Sequence, residues 1–186
     1  SLSADGKYAA IGSPGYDSWS GRVTIYKYDG GTSWTPFGEN IDGGATSDHF
    51  GWTVSLSADG KIVAVGAVIE NNSRGAGRVY QYKLKINGTY GWEPLGGRID
   101  GEFPGGQFGN SISLSSDGTI VAIGTGSPAS SDNVTVHKYN GTSWLPYGQV
   151  INGESDNEYV GKSVSLSANG SILSIGGHGY DNNRGR

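Results

Sequence analysis

Apolar residues recur along this chain in short bursts separated by glycine, asparagine, aspartate and serine, and no useful stretch holds a helical period of 3.6 residues. The segment Val23-Thr24-Ile25-Tyr26-Lys27-Tyr28 alternates with period two and is matched by Val79 to Leu84 and by Val134 to Tyr139. That alternation predicts half-buried strands. Lys61-Ile62-Val63-Ala64-Val65-Gly66 is nearly all apolar, which predicts a central strand covered on both faces. Asp-Gly and Asn-Gly pairs between the bursts supply the positive φ that tight hairpins need.

The bursts repeat in a fixed order. Ser-Leu-Ser-Ala-Asp-Gly opens at Ser1 and recurs at Ser55, as Ser-Leu-Ser-Ser-Asp-Gly at Ser113 and as Ser-Leu-Ser-Ala-Asn-Gly at Ser165. An apolar run ending in glycine follows each tag (Tyr8 to Gly12, Ile62 to Gly66, Ile120 to Gly124, Ile172 to Gly176). After a polar loop and the alternating strand comes Trp-x-Pro-x-Gly, carried by Trp34, Trp92 and Trp144. Ile-Asp-Gly (Ile41, Ile99) or Ile-Asn-Gly (Ile151) is next, and Phe50-Gly51, Phe108-Gly109 or Val160-Gly161 leads into the following tag. Spacings of 54, 58 and 52 residues divide the chain into units 1–54, 55–112, 113–164 and a partial 165–186. Four short antiparallel strands in a unit of this length predict an all-β fold of β-propeller blades, in a partial or open array. A β-solenoid is the other all-β repeat, with much shorter units.

Trp34, Trp92, Trp144, Phe50 and Phe108 fall in register, which predicts that they wedge between blades, each ring burying about 150–250 Å². Stacking of a sugar ring on the same tryptophans is the alternative. The glycine count of 34 is roughly two and a half times the usual share. Cysteine is absent, which excludes disulfides and thiolate metal sites without fixing a compartment. Charged residues are 16% and the net charge is -4, a balance that gives no footprint for nucleic acid. No apolar stretch approaches the ~20 residues of a membrane span. Five sequons, at Asn71, Asn87, Asn133, Asn140 and Asn169, are candidate glycosylation sites and point to a secreted or cell-surface protein. The same triplets also arise by composition alone.

Phe50-Gly51-x-x-Val54, the strand Ile62 to Val65, Gly66-Ala67 and Gly77-Arg78-Val79-Tyr80 together resemble FG-GAP repeats, the blade type of the integrin α-subunit propeller and of many secreted bacterial and algal proteins. Gly21-Arg22-Val23 repeats the last block. The resemblance implies a calcium loop of the type Asp-x-Asp-x-Asp-Gly in many such blades. Here that position reads Ser57-Ala58-Asp59-Gly60-Lys61, with one carboxylate and a lysine. Calcium needs 6–8 oxygens, so Asp5, Asp59, Asp117 and Asn169 are expected to be turn residues and no cofactor or metal is expected.

No familiar catalytic spacing is present. His49, His137 and His178 fall in unrelated columns, with His137 in the strand column of Tyr26 and Tyr82. There is no His-x-x-x-His pair and no Gly-x-Ser-x-Gly elbow. The acidic loop Glu154-Ser155-Asp156-Asn157-Glu158 reads as a solvated loop, with cation binding as the alternative. The expectation is therefore a non-enzymatic extracellular structural or adhesion protein, with protein partners or head-to-tail self-association through open blade edges into a fibre. The alternative is a ligand- or carbohydrate-binding propeller, with glycans as partners. The array also reads as incomplete at both ends.

Overall fold

The computed structural model describes residues 1–126, 132–154 and 158–179, and among them all regular structure longer than one turn is β. The first sheet contains β1 (Tyr8–Ser13), β2 (Arg22–Tyr28), β3 (Trp34–Pro36) and β4 (Ile41–Asp42). The second contains β5 (Phe50–Leu56), β6 (Ile62–Ala67), β7 (Ala76–Leu84), β8 (Tyr90–Pro94) and β9 (Ile99–Asp100). The third repeats it as β10 (Ser111–Leu114), β11 (Ile120–Gly124), β12 (Asn133–Tyr139), β13 (Trp144–Pro146) and β14 (Ile151–Asn152). β15 (Ser163–Leu166) and β16 (Leu173–Gly176) form a fourth. All pairings within the sheets are antiparallel.

The fourth strand of each complete blade is split. β8 and β9 both pair with β7, at opposite ends (Leu84 with Tyr90, Gly77 with Ile99). The same holds for β3 and β4 on β2 and for β13 and β14 on β12. Pro36, Pro94 and Pro146 close the first half, where a residue without an N–H ends the ladder on an outer edge.

The first five positions of the six-residue tag have distinct tasks. The first serine reaches the next blade: Ser1, Ser55 and Ser113 Oγ accept the N–H of Leu56, Leu114 and Leu166 at 3.0, 3.0 and 2.9 Å. The leucines of the second and third blades are buried. The second serine closes the turn on itself. Ser57 Oγ donates to Asp59 Oδ1 at 2.7 Å and accepts the N–H of Ile62 at 2.9 Å, while Asp59 Oδ1 accepts the N–H of Lys61. Ser3, Ser115 and Ser167 repeat this with Asp5, Asp117 and Asn169. In the first blade the Lys7 N–H and then the Ser3 hydroxyl hold the Asp5 carboxyl below the usual carboxylate range. The fourth residue stitches turn to turn, Ala4 N–H to Ala58 C=O and Ala58 N–H to Ser116 C=O.

Two hydrophobic cores lie between blades. Val23 and Ile25 of the first blade meet Val63, Val65, Phe50 and Tyr80 of the second. Ala64 and Val79 of the second meet Val121, Ile123, Phe108 and Ile112 of the third. Glycine permits the close approach: a Cβ at Gly12, Gly66 or Gly124 would collide with the carbonyl of Gly51, Gly109 or Gly161 in the following blade.

Strand register corrects two alignments read from sequence. Gly12, Gly66 and Gly124 pair with Val23, Gly77 and Val134, so Gly77-Arg78-Val79 lies two residues beyond Gly21-Arg22-Val23. Gly75 is the true counterpart of Gly21, since the two form parallel bridges to Phe108 and Phe50. His137 accordingly matches Tyr26 and Tyr80, all three paired with a proline, and not Tyr82.

Candidate functional site: a cleft between the second and third blades

Equivalent positions in the second and third blades are filled in opposite ways. In the second, Glu70 is 4% exposed and receives two arginines, Arg78 from β7 and Arg98 from the loop before β9. Arg98 also binds Asp100 at 2.5 Å. Asp48 stands near this group, its pKa raised by burial and then by the Glu70 charge. Tyr80 packs edge-on against Phe50 at 6.0 Å. A charged, filled interior results.

In the third blade Arg78 is replaced by Thr135, Tyr80 by His137, Arg98 by Val150 and Asp48 by Gly106, by the register above. Shorter side chains in the strand and none at Gly106 leave a cleft of about 120 Å³. Asn133, Thr135 and His137 form one wall, since alternate residues of β12 face the same side. Phe103 and Phe108 supply apolar surface, and Arg74 and Glu102 stand at the other side. Thr125 Oγ1 accepts the Asn133 N–H at 2.9 Å, fixing the back of the cleft.

His137 is the group with chemistry to offer. Its Nε2 lies 3.0 Å from Thr135 Oγ1. Its Nδ1 is buried and has no hydrogen-bond partner among the described residues. Burial lowers its pKa, so the ring is held neutral, with Nε2 engaged by Thr135 and Nδ1 left without a partner among the described residues. In sequence this histidine is one more substitution in an alternating strand, and only the register of β12 and the missing bulk around it single it out. No cluster of three or more metal-ligating side chains exists among the described residues.

The packing aromatics divide. Trp92 and Trp144 are buried and donate Nε1–H to the carbonyls of Phe37 and Leu95 in the preceding blade, at 3.1 and 2.7 Å. Phe50 and Phe108 are buried as well. Trp34 departs from the expectation: it is 42% exposed, and its ring contact is with Tyr28 of its own blade. Asn87, Asn140 and Asn169 are exposed and close local turns through Oδ1. Asn71 is half-buried in a left-handed turn (φ 58°). Asn133 is corrected: at 7% exposure in β12 it offers no accessible amide for a glycan. Of the acidic loop, residues 155–157 lie outside the described residues, and Glu158 is buried with its Oε2 accepting the Glu154 N–H.

Residues 42–82 match the FG-GAP repeat family. No curated protein matches the chain. Among solved structures it is similar to a putative 6-phosphogluconolactonase from Bacteroides uniformis (TM-score 0.60, 14% identity, 100% of this chain and 51% of that one). It is also similar to the periplasmic gluconolactonase PpgL of Pseudomonas aeruginosa (TM-score 0.59, 18% identity, 94% and 48%). The β-propeller domain of Cps50 (Swd1) from Myceliophteria thermophila aligns with TM-score 0.57, 16% identity, 95% and 46%. The chain spans about half the length of these proteins. At such identities the likeness shows the fold. It nevertheless overturns the expectation of a non-enzymatic structural or adhesion protein, which rested on blades without a familiar motif: proteins named as lactonases are built of the same blades. Among the described residues no helix is long and apolar enough to cross a membrane. The chain is an array of β-propeller blades that carries an FG-GAP repeat at residues 42–82.

Proposed function

We propose that this chain contributes the catalytic cleft of a propeller hydrolase acting on a small ester or lactone, with His137 as its acid–base group. The observation that carries the reading is the buried, unpartnered Nδ1 of a neutral imidazole, in a cleft whose counterpart one blade earlier is filled by Arg78 and Tyr80. A neutral imidazole nitrogen can take a proton from water as its oxygen adds to the ester carbonyl. The ring C–O bond then breaks, and the imidazolium returns the proton to the departing oxygen. Water is thereby added across one ester bond, giving a hydroxy acid, with no oxidant or reductant involved. The lactonase names of two structural neighbours favour this bond over others. Export from the cytoplasm is part of the same proposal, supported by the periplasmic neighbour and the exposed sequons at Asn87, Asn140 and Asn169.

The test is release of gluconate from glucono-1,5-lactone, measured against the spontaneous rate, for the whole protein and for His137→Gln. Loss of about 10²-fold or more in the catalysed rate, with an unchanged melting profile, is expected for removal of a general base. A variant as active as the parent, or a parent no faster than buffer, would overturn the reading.

A further inference from the structure

Among the described residues, the arginines other than Arg74 end on carboxylates. Arg22 is held by Asp42 at 2.5 and 2.9 Å, Arg78 by Glu70, and Arg98 by Glu70 and Asp100. Arg74 belongs to no ion pair among the described residues, and it lines the cleft that holds His137. Its backbone carbonyl is fixed by the Phe108 N–H at 3.1 Å, so the residue is anchored beside the apolar end of the cleft. Its counterpart in the preceding blade is Ser20, whose carbonyl accepts the Phe50 N–H in the same way.

The charges around Arg74 favour an anion. Asp100 also lines the cleft, but its carboxylate is engaged by Arg98. His137 adds no charge while neutral. Thr135 brings a hydroxyl group able to bond oxyanion or hydroxyl oxygens. Glu102 is exposed at the edge and is the one opposing charge among these groups that makes no ion pair among the described residues. A planar guanidinium with no internal partner matches a carboxylate or phosphate through two parallel N–H bonds. A cleft of about 120 Å³ suits a compact head group and not a polymer.

We infer that the cleft between the second and third blades selects small oxyanion-bearing compounds, and that Arg74 is the group that binds the carboxylate or phosphate. The inference rests on the cleft proposed above as the site and names its substrate class.

Its test reads binding at the ring of His137, whose imidazole resonances are assigned by comparison with His137→Gln. Inorganic phosphate, gluconate and neutral glucono-1,5-lactone are titrated separately into the parent and Arg74→Gln proteins. Phosphate or gluconate should shift the His137 signals of the parent, and Arg74→Gln should weaken that binding about tenfold or more, as expected for loss of a charge-assisted pair. Arg74→Lys should restore part of it, since charge returns without the fork. Phosphate response without gluconate response identifies the phosphate as the preferred group, and the converse identifies the carboxylate. If the neutral lactone shifts His137 equally in both proteins while the anions do nothing, the anion selectivity is wrong and the hydrolytic cleft survives. If no probe moves the His137 signals, both readings fall.

Discussion

At the scale of single residues, His137 links the proposed chemistry to stability. Its folded pKa lies below the ordinary 6.5 because the ring is buried. The folded protein therefore binds this proton more weakly than the unfolded chain does. The sign follows: the full stability is present above pH 6.5 and is lost as the pH falls through the folded value. Asp48 acts oppositely, since burial and the Glu70 charge raise its pKa from 3.8, and protonating it favours the folded state. Thermal melts between pH 7.5 and 5 should show the parent losing more stability on acidification than His137→Gln. Parallel curves would remove the buried neutral imidazole from the account. Nothing in the local sequence marked this histidine, because Val-Thr-Val-His-Lys-Tyr is an ordinary alternating strand. What sets it apart is the loss of bulk at Thr135 and Gly106, which lie 29 residues apart in sequence and meet only across the blade.

At the scale of elements, the tag, the tryptophan and the Phe-Gly pair were legible because the second and third blades use them for the same contacts. The tag's Asp-Gly turn recurs with identical hydrogen bonds in the second and third blades, and repetition is visible in sequence without any structure. Register was less legible. Gly-Arg-Val occurs twice, but the second copy sits two residues further along its strand, and period-two alternation cannot distinguish a shift of two. The tryptophan column makes an internal control. Trp144→Ala removes a buried ring and its bond to the Leu95 carbonyl, and should cost about 3–5 kcal/mol in urea denaturation. Trp34→Ala, at 42% exposure, should change stability by less than about 1 kcal/mol. Equal losses at the two positions would show that the exposed ring is packed in solution by something outside the described residues.

At the scale of the whole molecule, the blades cohere through glycine as much as through apolar bulk. Gly66 lies against Gly109 and Gly124 against Gly161, backbone to backbone, so that the second strand of one blade can approach the chain entering the first strand of the next. Gly66→Ala would drive a methyl group into the Gly109 carbonyl and separate the second blade from the third. The expected outcome is a loss of at least about 2 kcal/mol, well beyond the usual Gly→Ala effect, together with reduced burial of Trp144 read by its fluorescence. A melting temperature equal to the parent's would mean that the blades tolerate being prised apart. Each blade presents the same scaffold to its neighbour while its third strand varies, which is how one interface becomes a filled ion cluster and the next a cleft.

The serine clasp between inner strands has a direction. In each observed pair the hydroxyl belongs to the earlier blade and the leucine N–H to the later one. During synthesis the acceptor therefore leaves the ribosome before the strand it will hold. A finished blade can act as the template on which the next inner strand is laid down, from the amino terminus onward.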